Sequence, residues 1–164
     1  MPPLTNPRQT VLVTVREEMD IMGKAIQKDN IITIAWHMPV SVEPELYAIA
    51  IGKGKFSAKM IQKSRSFVIN FISKDLKEQA LFCGRNHGEH IDKFEGSGLT
   101  KEESDLIDCP RIKEVLGYME CELIQEIDAG DHIIFLGKSL KSELKNNDKR
   151  LFHIGGNDFT TTID

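Results

Sequence analysis

The chain has 164 residues, of which 40% are hydrophobic and 28% charged, with a formal net charge of −4 and a sequence pI near 5.8. That length supports one domain with a proper core and is short for two, so a single domain over 1–164 is expected, with the composition of a soluble globular protein. The acidic balance argues against general nucleic-acid or anionic-membrane binding, which needs a basic face, and no apolar run approaches the ~20 residues that cross a bilayer.

In chain order, the N-terminal stretch shows no basic region followed by an apolar run, so no secretory signal is expected. "TVLVTV" (Thr10 to Val15), "NIITIAW" (Asn30 to Trp36), "ELYAIAI" (Glu45 to Ile51) and "SFVINFI" (Ser66 to Ile72) are β-branched or nearly continuous apolar runs that read as strands. "FSAKMIQKS" reads as a helix with Ser57 as its cap and a staple between Phe56 and Ile61. "DLKEQALFCG" reads as a second helix, with Asp75 as cap, Glu78 three residues on and Gly84 just past its end. The segment 98–117 is polar and assigns to no element. "MECELIQEI" and "HIIFLGKSL" flank "DAGD" as a hairpin, and "RLFHIGG" supplies a short last strand. Strands first, two short helices, then a long hairpin is not the alternation of a parallel sheet; a mainly β, antiparallel barrel with small helices is expected. Cys83, Cys109 and Cys121 are an odd set at unrelated spacings and read as reduced thiols, so the expected compartment is the cytoplasm.

Several segments carry chemistry. "GKGKFSAK" follows a strand and opens a helix, so free backbone N–H groups, the Ser57 hydroxyl and Lys53, Lys55 and Lys59 converge where a phosphate fits; a capped helix with solvated lysines fits the same residues. It is not a Walker loop, because GxxxxGK[ST] is absent. Asn70 lies between aliphatics on a strand face and needs a partner, either a neighbouring backbone group or a polar ligand. Trp36 at a strand end either seals the core or borders a planar ligand, and His132 begins a strand directly after a turn. "CGRNHGEHIDKF" carries Cys83, His87 and His90 at C-x3-H-x2-H spacing, but the three straddle a helix end. It reads as a loop beside a ligand rather than as a metal site.

The strand N-x-x-T-x-x-W, the strand F-V-I-N, the D-K-F after the second helix and the G-D-H hairpin resemble, in this order over nearly the whole chain, the flavoredoxin-like flavin reductase family. The resemblance implies an FMN-binding split barrel: a Greek-key antiparallel barrel with extra helices, usually a homodimer, with FMN near the dimer interface. It implies that Thr33, Ile34, Ala35 and Trp36 face the flavin ring. Lys55, standing where the family commonly has Arg, holds the phosphate with Ser57, and Ala58 and Lys59 complete that helix start. Asn70 then hydrogen-bonds the cofactor, Lys93 and Phe94 sit beside it, and His87 takes a position where family members commonly have Ser. His132 approaches the redox side as the candidate catalytic residue. The implied reaction is hydride transfer between NADH or NADPH and FMN; an FMN electron carrier that works with a partner protein is the alternative. The sequence holds no G-x-S-x-G, H-E-x-x-H or paired C-x-x-C motif to set against it.

Overall fold

The apolar β-branched runs form strands, and their continuity follows from burial on both faces. A computed structural model describes residues 3–163. Seven strands make the main antiparallel sheet: β2 (Val11–Ile21), β3 (Lys24–Ile34), β4 (His37–Ser41), β5 (Leu46–Gly52), β6 (Ser66–Phe71), β9 (Gly117–Ala129) and β10 (His132–Leu144). Their order is β3-β2-β6-β9-β10-β5-β4, so β5 and β6 are consecutive in sequence yet separated by the β9–β10 hairpin. Two minor sheets join β1 (Arg8–Gln9), β11 (Phe152–Gly155) and β12 (Asp158–Thr160), and pair β7 (Lys101–Glu103) with β8 (Pro110–Ile112). Three helices pack against the sheet, α1 (Phe56–Ser64) mainly on β2, and α2 (Lys77–Arg85) and α3 (Lys93–Ser97) on β3.

The sheet closes where β3 leaves one edge. After Ile34 the chain turns through Ala35 and Trp36 and enters β4 at the other edge, with the Trp36 carbonyl accepting from the Ala50 N–H at 2.9 Å. His37 latches the junction. Its Nε2 meets the Gln9 carbonyl at 2.7 Å and its Nδ1 the Tyr47 hydroxyl at 2.7 Å. A carbonyl only accepts, so Nε2 carries the proton, Nδ1 accepts from Tyr47, and the ring is neutral.

Phe67 and Ile69 on one face of β6 join Val11, Val13, Ile49 and Phe135 in the barrel interior, with Met60 and Ile61 of α1 plugging it. Ile72 at the end of the strand faces an outer layer with Leu12, Cys83, Phe94 and Ile112. That layer includes the segment that the sequence left unassigned. The fully buried Glu120 carboxylate accepts from the N–H groups of Asp105 and Leu106 and from Arg111, each at 2.9 Å, and so holds 104–112 against the sheet. A buried carboxylate with three donors is matched; with fewer it would be costly.

Several boundaries differ from expectation. β2 and β3 form a hairpin of two 11-residue strands whose outer half is charged and exposed; the turn is Met22-Gly23, both at positive φ (53° and 81°). That is the geometry of a type I′ turn, without the Asn or Asp that announces one. Pro39 lies in β4, an edge strand where its missing N–H is tolerated. Ser57 is not the cap of α1: Lys55 occupies that position without a side-chain cap bond, and the helix starts at Phe56. Asp75 is not a cap either. Ser73 Oγ accepts from the Asp75 N–H to start a 3-10 turn (Lys74–Leu76), and Gly84 lies inside α2.

Burial holds the His37 pKa below its ordinary 6.5. The unfolded chain therefore takes up this proton first, so the contribution of His37 to stability is complete above 6.5 and declines as pH falls through the folded-state value. Chemical denaturation between pH 7.5 and 5 is expected to show this loss, and His37→Gln is expected to start less stable but to decline less steeply. Parallel slopes in the two proteins would refute the latch.

Candidate functional site

Edge strand β3 pairs only with β2. Backbone groups along a strand point alternately to its two sides. The Ile31 carbonyl points outward, because Lys93 Nζ reaches it at 2.7 Å, so the N–H and C=O of Thr33 face outward as well. Along this edge lies a cleft whose two halves share Ile32, Thr33 and Lys55.

The first half, about 210 Å³, lies between the start of α1, the end of α2 and the loop 86–93. The first-turn N–H groups of α1 receive no side-chain cap, and an uncapped helix start carries partial positive charge. Ser57 is 4% exposed; its Oγ accepts from Asn30 Nδ2 at 2.8 Å, which leaves its own hydrogen free to donate. Lys93 is 4% exposed, and Nζ donates to the carbonyls of Ile31 and Cys83 at 2.7 and 2.8 Å. An ammonium has three donors, so one remains for an acceptor in the cleft. Burial, with a smaller contribution from Lys55, lowers its pKa from 10.5 to about 8, and the nearby Cys83 works the other way. Burial also pushes the Cys83 thiol up to about 11, which makes it an inert wall residue rather than a nucleophile.

Asn30, the first residue of the N-x-x-T-x-x-W strand and given no role from sequence, sits at the back of this half. Its Oδ1 has no partner, and a Cβ on Gly88 would come within 1.9 Å of it, so the loop passes directly over the amide. His87 and Arg85 are exposed side chains at the rim. Cys83, His87 and His90 do not assemble a ligand set: among the described residues no group of three His, Cys, Asp or Glu side chains is placed to hold a metal.

The second half, about 340 Å³, is walled by Ile32, Thr33, Ile34, Ala35 and Trp36, with Ile51 and Gly52 opposite in the closed barrel. Trp36 is half-buried. His132 stacks on it, centroids 4.5 Å apart and 25° between planes, and Arg8 lies 5.8 Å from the ring centre. His132 Nδ1 donates to Asp131 Oδ1 at 2.6 Å, which fixes Nδ1 as a donor and leaves Nε2 unbonded to protein; that bond holds the Asp131 carboxyl below its ordinary value. The turn that places His132 is the two-residue Gly130-Asp131, with Gly130 at φ 71°. No Asp or Glu lines either half among the described residues, although the chain is acidic.

Thr33, Ile34, Ala35, Trp36, Lys55, Ser57, His87, Lys93 and His132 thus come together on one cleft. Four expected residues do not bring a side chain to it. Asn70 is fully buried: Nδ2 donates to the Leu12 carbonyl and Thr14 Oγ1, and Oδ1 accepts from the Ile112 N–H. Its amide is consumed in joining the sheet to the outer layer and has nothing left for a cofactor. Phe94 packs in the outer core beneath Lys101, 5.0 Å from its ring centre. Ala58 is 1% exposed inside the barrel and offers only a backbone N–H, and Lys59 is exposed and outside the lining. A larger hollow of about 380 Å³ beside Tyr118 shares no residue with the cleft, and the Tyr118 hydroxyl there already donates to Glu143 at 2.6 Å.

Residues 4–162 match the family described as flavin reductase like domain. The chain belongs to that family. A flavin reductase of Pseudomonas putida is 31% identical over 118 residues, 71% of this chain and 66% of that protein. Flavoredoxin of Desulfovibrio vulgaris (Miyazaki F) superposes with a TM-score of 0.83 at 21% identity, covering 98% of this chain and 89% of that one. The NADH:FAD oxidoreductase of Streptomyces globisporus superposes with a TM-score of 0.83 at 18% identity, over 97% and 88%. The fold is the split barrel of flavin-binding proteins.

The donor set fits a phosphorylated flavin: cations and free N–H groups at one end, an extended backbone edge and a flat apolar wall at the other. A phosphate beside Lys93 favours its protonated form, so affinity for FMN is expected to be greatest below about pH 8 and to fall as pH rises above it. Fluorescence titrations from pH 7 to 9.5 test this. Lys93→Met is expected to bind FMN about tenfold more weakly at pH 7, as for one charged hydrogen bond, and to lose the decline. An equal decline in the variant would show that Lys93 faces no phosphate.

Proposed function

We propose that the chain, as one domain over 1–164, binds FMN in this cleft and acts as an NAD(P)H-dependent flavin reductase. The observation that carries the reading is a cleft lined by no carboxylate among the described residues, with an uncapped helix start at one end and an open aromatic mouth at the other.

In this reading Lys55, Ser57 and the N–H groups of Phe56, Ser57 and Ala58 receive the phosphate, with Lys93 from below and His87 from the covering loop. Lys55 keeps the charge of an arginine without its bidentate fork. The segment Thr33–Trp36 lies along the ring. Bound FMN supplies the two-electron, hydride-accepting chemistry. The protein holds the ring against β3, keeps water from one face and places the Trp36–His132 stack at the open side, where the donor enters. Arg8 favours a phosphate-bearing nucleotide there.

A homodimer, which the exposed Met38 and Val40 on edge strand β4 would help to form, belongs to the same reading. The flavoredoxin-type carrier needs the same cleft but no nucleotide at its mouth, so it is separable by experiment.

Purified protein is expected to retain about one FMN per chain after desalting. NADH or NADPH is then expected to bleach the flavin anaerobically and to be oxidised in steady state when an acceptor is supplied. Ser57→Ala with Lys55→Ala is expected to weaken FMN binding by roughly 10–100-fold. Retained flavin that neither nucleotide reduces would leave the carrier, and failure to use flavin either bound or free would overturn both readings.

A further inference from the structure

The guanidinium of Arg8 at the mouth is only partly used by the protein. Arg16, Arg65 and Arg111 pair with carboxylates, whereas Arg8 makes no ion pair among the described residues. Its Nη1 donates to the Thr5 carbonyl at 3.0 Å and to Thr5 Oγ1 at 2.5 Å, but its Nε is buried and meets no acceptor. A guanidinium keeps its protons, so a buried Nε–H without a partner is a cost that an acceptor arriving there removes.

The small sheet sets this donor beside the mouth. Arg8 of β1 and His153 of β11 are cross-strand partners, and both line the 340 Å³ half of the cleft. His153 Nε2 donates to the Gly156 carbonyl at 3.0 Å, which only accepts, so Nδ1 is the nitrogen left to take a proton. His132, from the main sheet, likewise keeps Nε2 unbonded to protein. The mouth thus holds one permanent donor and two imidazole nitrogens that solvent can protonate, around the half-buried Trp36. No carboxylate lines it among the described residues, so nothing there opposes negative charge that develops on an oxygen.

We propose that the mouth takes a small quinone as electron acceptor, in turn with the nucleotide, with one quinone oxygen on Arg8 Nε. The inference rests on the flavin reading above and names its acceptor. A quinone is flat, carries only acceptor oxygens, and becomes an oxyanion as it is reduced, which is what a fixed donor beside an open aromatic mouth stabilises. The quinone gains a hydride at its far oxygen from bound flavin that NADH or NADPH has reduced, and the flavin returns to its oxidised form. The carbonyl electrons move into the ring, which becomes aromatic, and one pair comes to rest on the oxygen at Arg8. That phenolate takes the proton carried on His153 Nδ1, which solvent replaces, and the hydroquinone leaves.

FMN-loaded full-length protein is reduced with dithionite, so that no nucleotide is present, and mixed anaerobically with increasing 1,4-benzoquinone. Flavin reoxidation is expected to saturate, because the quinone binds before it reacts; a rate that rises linearly marks collision in solution. Pentafluorophenolate, ionised at neutral pH, stands in for the product and accepts no hydride. It is expected to quench Trp36, the one tryptophan of the chain, in flavin-free protein, and to give a long-wavelength charge-transfer band with oxidised FMN. Arg8→Met, with its melting temperature as the control for folding, is expected to weaken phenolate binding about tenfold and to raise the half-saturating quinone concentration by a similar factor. Linear reoxidation of the unsubstituted protein with no phenolate binding would overturn the proposal, whatever the variant does, and leave the flavin reading standing. Saturation and phenolate binding unchanged in a folded Arg8→Met would overturn it as well. Failure of flavin to bind would overturn both readings.

Discussion

Closure of the barrel at Ala35–Trp36 is the constraint on which the site depends. A sheet that closed by pairing β3 along its length would leave no backbone for a ligand. Here β3 leaves its edge only at the end, crosses to the other side of the sheet, and is fixed there by the Trp36 carbonyl and the neutral His37 ring. The outward groups of β3 stay free over the residues that precede the crossing. In other β proteins such an edge is blunted by charge or covered; here α2 and the loop 86–93 touch it through side chains, Thr33 Oγ1 donating to the Ala80 carbonyl at 2.6 Å and Lys93 to the Ile31 carbonyl, and border the cleft along it. The same crossing carries Trp36 to the mouth, where the turn at Gly130-Asp131 brings His132 onto its ring.

Charge is segregated by this architecture. The chain carries 25 acidic and 21 basic residues, yet the cleft walls contain Lys55, Arg85, Lys93 and Arg8 without a carboxylate among the described residues. Six of the carboxylates are engaged in two networks away from the cleft. Asp29, Glu103 and Asp108 surround Arg16, while Glu102, Asp105 and Glu120 surround Arg111. Both networks fasten the 101–112 segment to the sheet, so the pairing that stabilises the outer layer also keeps negative charge away from the cleft. Lys93 is buried and faces carbonyl dipoles rather than a carboxylate. A buried ammonium held only by dipoles is poised for an anion, because one arriving beside it compensates desolvation that the protein leaves uncompensated.

Much of the fold was legible because its core strands are β-branched and nearly continuous, and because Gly130 and Asp131 mark a hairpin. The β2–β3 ribbon was cut short because its outer halves are polar and its turn is Met-Gly. The 98–117 segment was opaque because its order comes from Glu120 and Arg111, contacts that no local pattern announces. In the cleft, Lys55, Ser57 and the Thr33–Trp36 edge could be placed from an apolar strand followed by a helix start. The reading of Asn70 failed for a different reason. Two asparagines, Asn30 and Asn70, each sit in an aliphatic strand, and sequence does not say which sheet face meets the cleft. Asn70 faces the outer layer and is saturated there, whereas Asn30 faces the start of α1.

Asn30 then explains the loop that covers the phosphate end. Its Nδ2 fixes the Ser57 hydroxyl as an acceptor from the strand and a donor toward the cleft, which couples β3 to the start of α1. Its Oδ1 lies under Gly88, where any side chain would begin within 1.9 Å of the amide oxygen. Glycine is therefore required for close approach rather than for backbone freedom. Without it the loop must lift, and His87, one residue earlier, lifts with it. The Lys93 anchor limits how far the far end of the loop can follow, since Lys93 is tied to both β3 and α2. One glycine and one buried lysine thus fix the two ends of a short cover over the helix start. The cleft is shaped at that end by close packing of backbone on amide, and at the other by two stacked rings that leave the face toward solvent open.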